Sequence, residues 1–278
     1  MMRYNKDNPL TVIELFAGYG SQHLALRRLK RDFPGFDYHV KAIAEIEPAA
    51  IKAYQAIHSE CPNLGDVSKI DWEQQPELKG TGLVTYSFPC QDISNAGKQK
   101  GFAKDSGTRS GLLWECEKCF RALRPKYLLM ENVKALTQKK FMPIFNEWIA
   151  LLDTLGYSSY WKVINAKDYG VAQNRERVFM VSILRTEDDP NPTYNFPKGF
   201  PLTKCVEDYM EPAEDVGEEY YISQDRVTDK VLCDMLDQPN VREEMEKLYH
   251  AEWNFCHRHG RFPKDGELEN ETDTIIPC

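Results

Sequence analysis

The sequence has no long hydrophobic run: its apolar stretches span only a few residues, and its opening, MMRYNKDNPL, contains none. A membrane-spanning helix needs about 20 predominantly apolar residues, and a secretory leader needs an apolar core of about 7 to 15. Neither is expected, and the chain reads as a cytosolic protein. A disulfide framework is also missing. The eight cysteines, at 61, 90, 116, 119, 205, 233, 256 and 278, are scattered through 278 residues without regular spacing, so reduced thiols are expected. No metal pattern is present. Cys116 and Cys119 form the only CxxC, within the helically spaced GLLWECEKCFRAL, and no second CxxC or His pair accompanies it; a place in the core is expected for both. Cys256, His257 and His259 lack a standard zinc spacing.

Positive charge is in short supply as well, with 35 Lys and Arg against 43 Asp and Glu and a net charge of -8. That balance argues mildly against nucleic-acid binding, which draws on Lys and Arg for phosphate contacts. The charges are unevenly distributed, however. Seven acids fall between Glu207 and Glu219, whereas Lys98, Lys100, Lys104 and Arg109 cluster after Cys90. Such a basic run is either a solvated face or a local binding surface. No internal repeat is present, and 42% hydrophobic residues suffice for one large core and a smaller second unit.

Read in order, TVIELFAGYGSQHLALRRLKR (11–31) predicts a buried strand, a glycine turn and an amphipathic helix, the opening of a nucleotide-binding α/β domain. The turn Phe16-Ala17-Gly18-Tyr19-Gly20 does not match the six-position fingerprint of dinucleotide binders. A second strand, 39–47, ends at Glu45, which is either an acceptor for two ribose hydroxyls or a solvated carboxylate. A third is expected at 63–70, where Asp66 either accepts from an adenine amino group or caps the turn beside Gly65. GLVTYSF (82–88) leads into Cys90, a helix is expected over 110–123, and KYLLMENV (126–133) delivers Glu131 and Asn132. A further helix over 143–156 and strands over 157–166 and up to 185 follow. This alternation predicts a parallel sheet with Phe16, Glu45, Asp66, Cys90 and Glu131 along one edge. Gln173, Arg175 and Arg177 stand at alternating positions before the last strand, which would point them the same way.

The stretch TYSFPCQDISNAG (85–97) puts a cysteine directly after a strand and a proline, at the start of a loop. A nucleophile on a rigid stem would be placed in this way, although a lone cysteine is more often a small core residue.

The segments ELFAGYG, the acid of AEIEPAA, GD at 65 and 66, FPCQ followed by GKQKG, MENV and QNRER occur in this order over residues 11–185. In these the chain resembles the DNA (cytosine-5)-methyltransferases of bacterial and phage modification systems. The resemblance implies a Rossmann-like α/β fold with a mostly parallel sheet and S-adenosyl-L-methionine as cofactor, with S-adenosyl-L-homocysteine as its product. It also implies double-stranded DNA as partner, with the target cytosine flipped out of the duplex. The thiolate of Cys90 would add at carbon 6 of cytosine and make carbon 5 nucleophilic. Glu131 would protonate ring nitrogen 3, Arg177 would hold the base carbonyl, and Arg175 would support Cys90 and Glu131. A free cysteine, with a pKa of about 8.5, needs a neighbouring positive charge, and a carboxyl group must rise by roughly 3 units to donate at neutral pH. The same resemblance assigns the cofactor to Phe16, Ala17, Gly18, Tyr19, Gly20, Glu45, Ile46, Asp66, Val67, Pro89 and Leu112. It assigns the closing loop and DNA contacts to Gln91, Ser94, Gly97, Lys98, Lys100, Arg109 and Gln173.

Residues 1–185 are thus expected to form the catalytic domain, and 186–278 a linker and part of a target-recognition region. The latter begins with the proline-rich DDPNPTYNFPKGFPL and contains an expected helix over about 225–250. It continues into WNFCHRHGRFPK, where Trp253, Phe255, Arg258, Arg261 and Lys264 would contact nucleic acid or a partner. The family pattern continues into a carboxyl-terminal segment that completes the cofactor pocket, whereas this sequence closes with ETDTIIPC. The expectation is one subunit of a split enzyme completed by a second polypeptide, or an incomplete chain. A tRNA cytosine-5 methyltransferase and a catalytically silent regulatory homologue are the alternative readings of function.

Overall fold

The computed structural model describes residues 3–58, 61–93, 101–104, 106–212 and 215–217. The expected helix at 225–250, the basic-aromatic segment at 253–264, Cys256, His257 and His259, and the terminal residues 271–278 lie outside them. Contacts divide the chain into two compact units, Met1–Asp208 and Tyr209–Cys278.

The first unit is a six-stranded sheet. Its strands are β1 (Leu10–Leu15), β2 (Tyr38–Ala44), β3 (Leu83–Tyr86), β4 (Tyr127–Val133), β5 (Tyr157–Asn165) and β6 (Glu176–Leu184), in the spatial order β2-β1-β3-β4-β6-β5. The pairings β1/β2, β1/β3 and β3/β4 are parallel, while β4/β6 and β6/β5 are antiparallel. The sheet is therefore mostly parallel, as expected, with an antiparallel hairpin at one side. Helices α1 (Ser21–Asp32), α2 (Pro48–His58), α3 (Cys116–Leu123) and α4 (Met142–Thr154) connect the strands.

The near-continuous apolar strands are what a sheet covered on both faces requires. Along β1, Val12 packs on one side with Val40, Ile43 and Tyr54, and Ile13 and Leu15 on the other with Tyr86, Phe120, Phe145 and Trp148. Cys116 and Cys119 are wholly buried in that larger cluster, as their helical spacing predicts.

Two element expectations need correction. Residues 63–70 do not form a strand: Asn63 makes one isolated bridge to Ile43, and Val67–Lys69 is a 3-10 turn. Gly65 has φ +76, and the Asp66 side chain accepts from the Ser68 amide at 3.0 Å, so local turn chemistry wins over strand pairing. The expected helix over 110–123 begins as a 3-10 segment, Ser110–Glu115, before α3. It stops at Arg124, whose φ of 50 precedes Pro125 and caps the helix in left-handed geometry.

Among the described residues no helix is long and apolar enough to cross a membrane. Residues after β6 run back along β5, where the Tyr160 hydroxyl donates to the Pro192 carbonyl (2.7 Å) and that of Tyr169 to Pro197 (2.8 Å).

Candidate active site

The carboxyl ends of the four parallel strands meet the start of β6 along one edge, as the antiparallel pairing of β6 with β4 requires. After β1, Phe16 turns the chain with φ 56, and Gly18 and Gly20 follow at φ 57 and 81. Gly20 has no substitute: a Cβ there would lie 2.5 Å from His58 Nε2 and 2.6 Å from the Tyr54 ring. After β2, Glu45 accepts from the Gly18 amide through Oε2 (2.8 Å), and through Oε1 from the amides of Ile46 (2.8 Å) and Glu47 (2.9 Å). The carboxylate thus joins the ends of β1 and β2 and retains lone-pair capacity on Oε2 for a further donor. Asn63 fixes it from behind, accepting from the Glu45 amide and donating to its carbonyl. Asn63 Oδ1 also accepts from the Gly65 amide (3.0 Å), which brings Gly65 and Asp66 to the same corner, where the 67–69 turn packs against the 110–115 segment. Ala17 and Val67 are buried, whereas Tyr19 and Ile46 are more than half exposed. Exposed apolar side chains around amide-rich turns fit a flat, partly polar ligand with hydroxyl groups.

Beneath this turn Glu14 is completely buried on β1. Its Oε2 accepts from the Tyr54 hydroxyl (2.8 Å), His23 Nδ1 shares that hydroxyl (2.8 Å), and the His23 ring stacks on His58 at 4.1 Å. Burial pushes Glu14 from 4.5 up to about 7, with partial relief from Tyr54 and the His23 backbone. Burial, with His58 and Arg27 nearby, pushes His23 from 6.5 down to about 4. The two linkages have opposite signs. Glu14 contributes stability that is full below about pH 4.5 and lost as pH rises through about 7. His23 contributes stability present above about pH 6.5 and lost as pH falls through about 4. In their overlap the two offset each other. Glu14→Gln should therefore expose the histidine slope, with stability rising against wild type by about 1.4 kcal/mol per pH unit between those limits. Urea midpoints measured across that range check this; parallel profiles for the two proteins would refute it.

β3 ends at Tyr86, and Ser87, Phe88 and Pro89 carry the chain to Cys90. Phe88 is buried and Cys90 is half-buried, with the Cys90 carbonyl accepting from the Ile93 amide at 3.0 Å. This stem is held from β4. The buried Asn132 donates through Nδ2 to the Phe88 carbonyl (3.0 Å), and its Oδ1 accepts from the Val133 amide (2.8 Å). The sequence placed Asn132 at the strand end without giving it this task. Asn132→Ala, by leaving the Phe88 carbonyl unsatisfied in the interior, should cost about 1–3 kcal/mol in denaturant unfolding.

Glu131 lies one position earlier on β4, and Arg177 lies on β6 opposite Val133, so the two side chains share one face diagonally. Arg177 Nε sits 3.1 Å from Glu131 Oε1, with both side chains about a quarter exposed or less. Burial raises the Glu131 pKa; Arg177, Arg175 and hydrogen bonds from Ser87 and Arg177 pull it down without cancelling the rise. Gln173, Arg175 and Arg177, expected at alternating positions before the last strand, straddle its start: β6 begins at Glu176 and takes in Arg177, while residues 171–175 are irregular. Asn165 holds this segment by accepting from the Arg175 amide at 3.1 Å, leaving the Gln173 and Arg175 side chains exposed.

On the loop side, Ser94, Gly97, Lys98 and Lys100 lie outside the described residues. The flanking stems are anchored by the buried Ile93 and Phe102, by Asp92 and Ser110 exchanging hydrogen bonds (3.1 and 3.2 Å), and by the Gly101 amide donating to the Asp92 carbonyl (2.9 Å). Arg109 donates to the Gln91 side chain at 2.9 Å. Lys104 is engaged with Glu117 and the Trp114 ring. Among the described residues no three His, Cys, Asp or Glu side chains gather as a metal site.

The family model for C-5 cytosine-specific DNA methylases matches residues 10–262. The chain belongs to this family. It is 37% identical to the type II methyltransferase M2.ScrFI of Lactococcus lactis subsp. cremoris, over 80% of this chain and 73% of that protein. It is 35% identical to the orphan methyltransferase M.SssI of Spiroplasma monobiae, over 73% of this chain and 65% of that one. The fold is similar to that of Entamoeba histolytica methyltransferase EhMeth, with a TM-score of 0.59 at 20% identity, covering 80% of this chain and 66% of the other.

Proposed function

We propose that the chain transfers a methyl group to carbon 5 of a flipped-out cytosine in double-stranded DNA, with Cys90 as nucleophile and Glu131, Arg175 and Arg177 acting on the base. The observation that carries this reading is the Glu131–Arg177 pair at 3.1 Å, on the same sheet edge as a partly buried cysteine. Membership of the methylase family supplies the reaction class.

In this reading the Cys90 thiolate attacks carbon 6. The negative charge that develops on the ring is relieved when Glu131 gives its proton to nitrogen 3, a step favoured by the burial that raises its pKa. Arg177 keeps its guanidinium charged throughout and binds the carbonyl oxygen beside that nitrogen. Arg175 steadies the carboxylate electrostatically. S-Adenosyl-L-methionine, bound by Phe16 to Gly20, Glu45, Ile46, Asp66, Val67, Pro89 and Leu112, supplies the electrophilic methyl group. Loss of the carbon 5 proton to solvent, departure of Cys90 from carbon 6 as thiolate and return of the nitrogen 3 proton to Glu131 then regenerate the enzyme. Gln91 and Arg109, with Ser94, Gly97, Lys98, Lys100 and Gln173, form the DNA side. Residues 1–185 hold all of the chemical groups.

Incorporation of a labelled methyl group, measured in parallel on duplex DNA and tRNA, tests the substrate class. The proposal expects product in duplex DNA at carbon 5 of cytosine; incorporation into tRNA alone would overturn it.

A further inference from the structure

The peptide group joining Tyr19 to Gly20, in the middle of the glycine turn, is pinned at both ends. Its N–H, that of Gly20, donates to the Ala17 carbonyl at 2.9 Å, and its C=O, that of Tyr19, lies 3.1 Å from His58 Nε2. A carbonyl only accepts, so Nε2 carries the proton. Nδ1 is then the bare nitrogen of a neutral ring, and it is buried without a hydrogen-bond partner among the described residues. Burial lowers the His58 pKa against the pull of the Tyr19 and Gly20 backbone, and Arg27 adds to the fall, which favours the same neutral form. The ring is held from several sides. It stacks on His23 of α1 at 4.1 Å and packs against the Tyr54 ring at 4.7 Å, and the Tyr54 hydroxyl ties His23 to the buried Glu14. Arg27 of α1 clasps the end of α2 by donating to the Ile57 carbonyl at 3.0 Å. Gly20 lies directly over the ring, where a Cβ would come within 2.5 Å of Nε2.

We propose that His58 is a positioning residue for the methyl donor: its Nε2–H holds the Tyr19–Gly20 peptide group in the orientation in which the turn takes up S-adenosyl-L-methionine. The proposal rests on the Phe16–Gly20 turn being the cofactor site. Without the His58 donor this peptide group keeps one anchor, at Ala17, and Gly20, at φ +81 with no side chain, offers little resistance to its rotation. The same group links the exposed Tyr19 to the first residue of α1. A turn free to rotate must be ordered again whenever ligand is taken up, and that ordering weakens binding. His58 acts through the Tyr19 backbone and not by touching the ligand, which sets it apart from Tyr19, Glu45 and Ile46.

The test is calorimetric titration of the full chain with S-adenosyl-L-homocysteine, comparing His58→Gln with His58→Met. The two side chains have the same length and both forgo the ring stacking, but only glutamine carries a donor for the Tyr19 carbonyl. His58→Met should bind about fivefold more weakly than wild type, the loss of one neutral hydrogen bond, and His58→Gln should stay within about twofold of wild type. A merely structural role would lower both variants alike. Nitrogen NMR of the labelled imidazole in the ligand-free chain gives an independent reading and should find His58 neutral and protonated at Nε2. Wild-type affinity in His58→Met, equal losses in the two variants, or a ring protonated at Nδ1 overturns the proposal and leaves the cofactor site standing. A wild type that takes up no S-adenosyl-L-homocysteine overturns the cofactor site and the proposal with it. Should His58→Met fail to fold, the affinity of His58→Gln and the protonated nitrogen of the wild-type ring decide the matter.

Discussion

Methyl transfer by a Cys90→Ala variant is expected to fall by on the order of 10³-fold or more, because carbon 5 of cytosine gains nucleophilic character only after a thiolate adds at carbon 6. The accompanying observation is a covalent complex with duplex DNA carrying 5-fluorocytosine, stable on a denaturing gel for the wild type and missing for the variant. The fluorine cannot leave as a proton does, so the adduct is trapped before Cys90 departs. Other described cysteines are poor substitutes. Cys116 and Cys119 are wholly buried, burial pushes Cys61 up to about 11, and Cys205, though exposed, has its thiol pKa raised by hydrogen bonds to Glu207 and Asp208. A persistent adduct in Cys90→Ala would therefore remove Cys90 from the mechanism. Absence of any adduct in the wild type would favour a regulatory homologue.

The second large effect is expected at Glu131. Glu131→Gln keeps the shape but cannot give up a proton in the same way, and general acid catalysis of this kind contributes typically about 10² to 10⁴-fold. The wild-type rate should fall as pH rises through the Glu131 pKa, which burial holds above its ordinary value of 4.5 against the pull of Arg177 and Arg175. The residual activity of Glu131→Gln should lose that alkaline limb. Wild-type stability should fall over the same interval. A carboxyl group raised in the folded state contributes stability that is fully present below its unfolded pKa and lost as pH rises through its folded one. Glu131→Gln should accordingly gain on wild type in unfolding free energy as the pH increases through that interval. A pH–rate profile unchanged by the substitution would remove Glu131 as the donor.

Much of the strand order of the sheet edge was readable because the chain marks it locally. The apolar runs stop at turn formers or polar residues, and the strands end with them: β1, β2 and β3 stop one residue before Phe16, Glu45 and Ser87, and β4 stops at Val133. The stretch 63–70 misled for a physical reason. Its hydrophobic pattern is compatible with a strand, but Gly65 in the left-handed region and Asp66 capping Ser68 commit it to a turn. Gln173, Arg175 and Arg177 alternate in sequence before the expected strand, but β6 starts at Glu176 and takes in Arg177 alone, so period-two reasoning, which holds only inside a strand, does not extend to the other two. Asn132 and His58 were beyond reach of local reading. Their partners lie 44 and 39 positions away in the cases of Asn132 with Phe88 and His58 with Tyr19, and only the packed fold brings them together.

The diagonal placement of Glu131 and Arg177 has an evolutionary corollary. Their spacing is dictated by the β4/β6 ladder, in which seven residue pairs run from Tyr127↔Ile183 to Val133↔Arg177. It does not depend on the length of the connection between β5 and β6. Residues 166–172 can consequently be lengthened, shortened or exchanged so long as Arg175 keeps its place and β6 its register, since a one-residue slip would throw Arg177 to the opposite face of the sheet. Variation in what surrounds the target base is thereby uncoupled from the chemistry performed on it.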